Sequence, residues 1–369
     1  MNRSEYFTLG RSGLRVSRLA LGTMTFGTDW GWGSDKDTAG QIFDRYVDGG
    51  GNFVDTADLY TNGVSETWLG EFMRERQLRD RIVLATKFAF SGQPDNPNAG
   101  GNGRKHMRRA VEASLRRLDT DFIDLFMLHA WDGLTPVDEV MRTFDDLVRA
   151  GKVRHVGLSN VPAWYASRAQ ALAAFRGYEP GSALQLENSL VERSIESEFI
   201  PLGLAHGMGT MAWSPLASGL LSGKYRRSPS GPVGEGRLQA VGGSGNPAFA
   251  KFTERNFAIA AELESVAAEV GRSMAQVALN WVANRPGVAS VIVGATRLVQ
   301  LEDNLGALEF SLPDELTARL DRASGSPATF PYSFFTPGMQ AMLAGSHMVR
   351  DKPEHYWPRT RIDDAVARR

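Results

Sequence analysis

One barrel of eight parallel strands wrapped by helices, (β/α)8, is the fold class this sequence predicts, on three observations. Short apolar runs alternate with longer amphipathic ones along most of the 369 residues, the pattern of strand–helix units building a parallel sheet. Three of these runs end in residues able to handle protons: Asn52-Phe-Val-Asp55, Arg81-Ile-Val-Leu-Ala-Thr-Lys87 and Asp121-Phe-Ile-Asp-Leu-Phe-Met-Leu-His129, with Tyr60 just beyond the first. In such a barrel the C-terminal strand ends share one rim, where the active sites of this architecture lie.

The elements follow in order. Phe7 to Ser17 reads as a β-hairpin around Arg11-Ser-Gly13, expected to plug the closed end of the barrel. Strands are expected at 18–21, 52–55, 82–87, 122–129, 153–159, 183–187, 209–213 and 289–294, from apolar runs bounded by turn residues. Helices are expected at 37–49, 64–77, 104–118, 137–150, 162–175, 194–206 and 256–284, the last broken near Gly271-Arg272-Ser273. Ser273 and Gln276 have the spacing of a capping box, and 300–305 belongs to the helix after the final strand. Residues 1–325 therefore read as one barrel domain. Two stretches break the regularity. Residues 217 to about 250, rich in Gly, Ser and Pro (Ser228-Pro-Ser-Gly-Pro232, Gly242-Gly-Ser-Gly-Asn-Pro247), read as a long glycine-rich loop after strand 7. Residues 326–369 carry Pro331, Pro337, Pro353 and Pro358 among Phe330, Tyr332, Phe334, Phe335, Tyr356 and Trp357. So many aromatics suit a C-terminal tail packed on the barrel better than a disordered one.

Composition narrows the function. A net charge of −1, with 41 basic residues balanced by 42 acidic ones, gives no electrostatic basis for nucleic acid or an anionic membrane as partner. The absence of cysteine removes disulfides and thiolate catalysis and fits a reducing cytoplasm. No apolar run reaches the roughly 18 residues needed to span a bilayer. The six histidines lack paired metal-ligand spacing, so no metal is expected. Three motifs mislead. Gly207-Met-Gly209-Thr-Met-Ala212 copies a dinucleotide fingerprint but precedes a strand. Gly219-Leu-Leu-Ser-Gly223-Lys224-Tyr225 is one residue short of a phosphate loop and has Tyr225 where Ser or Thr would hold magnesium. Gly157-Leu-Ser159-Asn-Val161 lacks the second glycine of a nucleophile elbow.

Asp55-Thr-Ala-Asp-Leu-Tyr60, Lys87, Leu128-His129-Ala-Trp131-Asp132, Gly157-Leu-Ser159-Asn160, Trp213-Ser-Pro-Leu-Ala-Ser-Gly219 and Gly294-Ala-Thr-Arg297-Leu-Val-Gln300-Leu-Glu-Asp303-Asn304 occur in that order. Together they resemble the aldo-keto reductase superfamily, a TIM-barrel family, from about residue 8 to 320. The resemblance is closer to the bacterial branch that includes potassium-channel β-subunits than to the human aldose reductase branch.

The resemblance implies reduction of an aldehyde or ketone by NADPH, with a small-molecule carbonyl compound as partner: a keto-sugar, another cyclic ketone or an aromatic aldehyde. Tyr60 would be the general acid. Its phenol, with an ordinary pKa of about 10, would be brought down by Lys87, itself held charged by Asp55. His129 would orient the carbonyl oxygen. For the cofactor, Ser159, Asn160 and Gln185 would hold the nicotinamide carboxamide and Trp213 would stack on its ring. Ser214, Pro215, Leu216, Ser218 and Gly219 would run past the pyrophosphate, with Lys224 adding a charge. Arg297 would meet the adenosine 2′-phosphate, and Gln300 and Asn304 the adenine. Gly22, Thr23, Met24, Asp55, Gly294 and Asp303 complete the implied cofactor set. Trp30, Trp32 and Trp131 would line the substrate mouth. Two other readings stay open: a nicotinamide-binding redox sensor or regulatory subunit with incidental turnover, and a barrel isomerase or aldolase with Lys87 as a Schiff-base nucleophile.

Overall fold

The computed structural model describes residues 5–228, 231–241 and 249–344. Its strands are β1 (Tyr6–Thr8), β2 (Arg15–Ser17), β3 (Leu19–Gly22), β4 (Phe53–Asp55), β5 (Val83–Phe88), β6 (Ile123–Leu128), β7 (Val153–Ser159), β8 (Gly181–Glu187), β9 (Gly209–Trp213), β10 (Arg226–Ser228), β11 (Gly231–Val233) and β12 (Val288–Val293). Eight of them close a barrel in the order β12-β3-β4-β5-β6-β7-β8-β9, each pair parallel. The fold is the expected (β/α)8 TIM barrel.

Strand alternation aims the site. Phe53, Val83, Ala85, Leu125, Met127, Ala183 and Met211 pack together inside the barrel, while Val54, Leu84, Phe126 and Leu184 pack outward against the helices. Successive side chains point to opposite faces, so Asp55 follows Phe53 inward, Lys87 follows Ala85, and Gln185 follows Ala183. The bore is filled by apolar layers at one end and becomes polar at the strands' C-terminal ends.

The surrounding helices are α1 (Lys36–Asp48), α2 (Val64–Glu75), α3 (Arg104–Leu118), α4 (Val137–Arg149), α5 (Ala163–Arg176), α6 (Phe199–His206), α7 (Arg237–Val241), α8 (Glu254–Val270), α9 (Met274–Ala283), α10 (Leu298–Leu305), α11 (Asp314–Ser324) and α12 (Pro337–Ala344). Three differ from expectation. The segment 194–206 is a single 3-10 turn, Ser194–Glu196, followed by α6. Pro201 is tolerated only in a helix's first turn, which forces the later start. Within 217–250 the chain forms a 3-10 segment (Ala217–Ser222), the β10–β11 hairpin and α7; Gly242 to Pro247 lies outside the described residues. The unexpected α11 begins after Pro313 with Asp314 and Glu315 in its first turn, an ordinary helix-start signal. Ser273 does cap α9, accepting from Gln276 N, but Gln276 does not reach back to close the box; its side chain donates to Asp303.

The N-terminal hairpin of β1 and β2 covers the apolar end. Leu9 and Val16 are fully buried among the inner residues, and Arg11 N donates to Gly207 O at 2.8 Å. Gly10 stands at φ +60, where a Cβ would come within 2.2 Å of Gly207 O. The tail is tied at its root, where Arg255 Nη2 donates to Ser324 O and Ser326 Oγ. Phe330 and Phe334 are exposed. The tail beyond residue 344, with Pro353, Tyr356, Trp357 and Pro358, lies outside the described residues. Among the described residues no helix is long and apolar enough to cross a membrane.

The close approach at the barrel floor sets a test. Gly10→Ala adds a clash to the roughly 1–3 kcal/mol cost of left-handed backbone, so its urea midpoint should correspond to a loss of at least about 2 kcal/mol.

Candidate active site

Lys87 is fully buried, and all three ammonium protons are used. Nζ donates to Asp55 Oδ2 at 2.9 Å, to Thr56 O at 2.7 Å and to Tyr60 Oη at 3.1 Å. The other carboxylate oxygen, Asp55 Oδ1, accepts from Gln185 Nε2 at 2.8 Å, and that amide nitrogen also lies against the sulfurs of Met127 and Met211. Gln185 thus fixes Asp55 from across the barrel. His129 sits beside Tyr60, ring centroids 5.8 Å apart and edge to face. The structure brings Asp55, Tyr60, Lys87 and His129 together.

Their protonation follows from burial and neighbours. For Lys87, burial lowers the pKa, but the charge and hydrogen bond of Asp55 together with Tyr60 outweigh it, and the pKa rises. Tyr60 is pushed up by burial, only partly offset by Lys87. The expected lowering of the phenol is thus corrected: desolvation wins in this pocket. Tyr60 is a neutral phenol whose oxygen already accepts from Lys87, which leaves its own O–H free to donate elsewhere. His129 is held well below its ordinary range, first by burial and then by Lys87, so it is a neutral imidazole. Its Nδ1 is buried without a partner. An unmet acceptor costs less than an unmet N–H, which favours the proton on Nε2. The group can give a proton to a developing oxyanion and orient it with a neutral donor.

The rim above these residues is strained. Thr61, Asn62, Asn160, Ser214, Ala217 and Ser218 all have left-handed φ between 47° and 55°, costly for non-glycine residues and typical of functional sites. Asn160 joins three elements: its Nδ2 donates to His129 O at 2.9 Å and to Ser159 Oγ at 3.0 Å, and its Oδ1 accepts from Trp213 Nε1 at 3.2 Å. Thr23 donates to Asp55 O through both N and Oγ1. Gly22 admits no side chain, since a Cβ would meet Ile292 at 2.7 Å. Met24 is half-buried and Gly294 exposed beside it on the rim.

A group of three cations lies over the other side. Lys224 folds across Gly219, where a Cβ would stand 2.6 Å from its Nζ, and beside Gly236, at 2.8 Å. Burial first, then Arg237 and Arg297, lower the Lys224 pKa. Among the described residues none of these three cations has an acidic partner. Three neighbouring cations without acidic partners among the described residues have the charge to suit a ligand with several phosphates. By contrast the amides of Ala217, Ser218 and Gly219 are taken up inside their own turn, with Pro215 buried and Leu216 half-buried beneath. On α10, Gln300 accepts from Thr296 N and Oγ1, and Asp303 accepts from Ser273 and Gln276. Asn304 is buried and Arg297 exposed.

Aromatic rings frame the mouth. Trp30 meets Tyr60 edge to face at 6.4 Å and Trp32 at 5.5 Å, and Phe90 meets His129 at 4.9 Å. Trp131 packs against Trp164 and Tyr165. Sequence reasoning missed three residues. Arg237 stacks on Trp32 at 4.2 Å, in a segment without periodicity. Phe90 sits two residues beyond its strand, a position that could have been read as rim. Asp58 lies inside the Asp55–Tyr60 motif itself. Burial, then the Glu66 charge, push its carboxyl up to about 7, and its Oδ1 is buried without a partner. An acid with a raised folded-state pKa binds its proton more tightly in the fold, so stability falls as pH rises from about 4 to about 7. Asp58→Asn should therefore stabilise the protein at pH 8 by more than about 1 kcal/mol and hardly at pH 4, read as denaturation midpoints at both values.

Comparison with known proteins agrees with this geometry. The family model described as "Aldo/keto reductase family" matches residues 18–324. An uncharacterized oxidoreductase, YrpG, of Bacillus subtilis is 38% identical over 325 residues, covering 86% of this chain and 95% of its own. An aryl-alcohol dehydrogenase [NADP(+)] of Phanerodontia chrysosporium is 34% identical over 364 residues, covering 94% of this chain and 91% of its own. Norsolorinic acid reductase A of Aspergillus parasiticus is 34% identical over 331 residues, covering 88% and 81%. With the match running through every barrel strand, the chain belongs to the aldo/keto reductase family of oxidoreductases.

Proposed function

We propose that the protein reduces an aromatic aldehyde or ketone to the alcohol with NADPH. One observation carries the reading: Lys87 donates to the oxygen of a neutral Tyr60, so the phenol's proton is free for a carbonyl oxygen. When bound, NADPH supplies the hydride. As charge builds on the substrate oxygen, Tyr60 gives up its proton and the nearby Lys87 ammonium stabilises the phenolate left behind. Lys87 stays charged because Asp55, fixed by Gln185, faces it. His129 donates from Nε2 to the same oxygen and sets its angle to the phenol.

The cofactor's phosphates suit Lys224, Arg237 and Arg297, which lack acidic partners among the described residues. The planar guanidinium of Arg297, exposed at the start of α10, suits a 2′-phosphate. Trp213 and Asn160 would receive the nicotinamide. Aromatic substrates are favoured by Trp30, Trp32 and Phe90 around Tyr60 and His129, and by the aryl-alcohol dehydrogenase among the relatives. For turnover, the arrangement keeps its proton donor, the Tyr60 phenol, neutral and protonated beside a charged Lys87.

Two measurements test the reading. Loss of absorbance at 340 nm should follow mixing with NADPH and benzaldehyde, and Tyr60→Phe should lower kcat by about 10²–10⁴ while NADPH fluorescence on binding is retained. NADPH that binds but never turns over with any aldehyde would leave the redox-sensor reading in its place. Arg297→Ala should weaken NADPH by about tenfold or more, the loss of one charge-assisted contact, and leave NADH unchanged; equal losses would exclude the 2′-phosphate role.

A further inference from the structure

An apolar corner stands on the rim outside the Tyr60–His129 pocket. Trp131 and Trp164 meet edge to face, 5.7 Å apart at 90°, and remain 37% and 57% exposed, with Leu134, three residues on from Trp131, at 87%. Tyr165 lies beneath both rings, 6.2 Å from Trp131 and 5.8 Å from Trp164. It is buried, and its hydroxyl has no partner, a cost of about 1–3 kcal/mol that solvation or repacking of the corner would relieve.

The corner is nevertheless rigid. The Asp132 carboxylate accepts from the backbone of Asn102, Leu134 and Thr135 and from the Thr135 hydroxyl. Asn102 answers by accepting from Asp132 N and donating to Ala130 O. Trp131 N donates to Asn160 O, the residue whose amide holds His129 O. The loop that carries Trp131 is thus fixed to the same support as His129, and Trp164 packs on it edge to face. A flat face and an edge held at a right angle match what a further aromatic ring needs, and little ordering entropy is lost on contact.

We propose that Trp164, with Trp131 and Leu134, forms an outer subsite for a second ring of the substrate, so that the preferred carbonyl compound is an extended aromatic one. This rests on the carbonyl reduction proposed above. The occupant is the distal part of the substrate, because Trp131 stands two residues beyond His129 and its N donates to Asn160 O, whose amide holds His129 O, which sets the corner next to the mouth. Trp164 is then a specificity-determining residue remote from the proton transfer.

Kinetics with benzaldehyde and with biphenyl-4-carbaldehyde test this in wild type, Trp164→Ala and Trp164→Phe. For the two-ring aldehyde, Trp164→Ala should lower kcat/KM about five- to tenfold, through KM, the size of an aromatic contact, with Phe restoring most of it. Benzaldehyde should change less than twofold. Equal changes for both aldehydes, or none, would overturn the subsite. So would a drop in assembly size of Trp164→Ala by sedimentation, which would make the corner a contact between copies. If the wild type reduces neither aldehyde, the carbonyl reading fails. Quenching of tryptophan fluorescence by biphenyl-4-methanol then still decides the subsite: quenching in wild type but not in Trp164→Ala supports it, and identical curves refute it.

Discussion

The Lys87 ammonium, buried in the barrel with three acceptors, is the constraint on which the site depends. A buried ammonium without partners would lose its proton or cost several kcal/mol. Asp55, Thr56 O and Tyr60 Oη together prevent that, and each belongs to β4 or the turn after it. The pair β4–β5, in register from Phe53 with Val83 to Asp55 with Ala85, therefore carries most of the chemistry. Gln185 adds a hydrogen bond that crosses the bore to reach Asp55, and it restrains the carboxylate's remaining freedom to swing. A rigid ion pair keeps the phenol oxygen in one place, which is what proton transfer in a fixed direction requires.

Strain is concentrated where that direction is set. Left-handed non-glycine residues cluster after β4, β7 and β9, three loops that converge on the same opening. Thr61 is the least comfortable, since a β-branched residue rarely adopts this region. Its hydroxyl donates to Phe26 O at 2.6 Å, and Gly27 leaves no room for a side chain against it. The loop after β3, which carries Trp30 and Trp32, is thereby pinned to the turn that carries Tyr60. Burial of the phenol follows from this packing, and it explains why desolvation outweighs the lysine.

Much of this was legible in the chain because alternation is a local rule. An apolar run ending in Asp, Lys or His says which face the last residue takes, and eight apolar runs, three of them ending this way, say that the faces meet. All eight barrel strands lie within two residues of the expected bounds. What could not be read were long-range choices. Nothing near Gln185 tells that its amide goes to a carboxylate 130 residues earlier, nor that Asp303 serves the cap of α9. The sign of the Tyr60 shift depends on how completely three loops exclude water, a property of packing. Arg237 sits among glycines, where neither period applies, and its partner Trp32 is distant in sequence.

Asn160 ties the backbone of His129, the hydroxyl of Ser159 and the indole of Trp213 to one amide, while the rings at the mouth ride on separate loops. Recognition and registration are thus carried by different parts of the chain. Loops such as 28–34 and 130–135 can exchange aromatic residues for others without disturbing the spacing between the ring of Trp213 and the acid side of the pocket. On this architecture new specificities arise by grafting loops onto an unmoved reaction centre, so divergence in substrate is expected to run well ahead of divergence in chemistry.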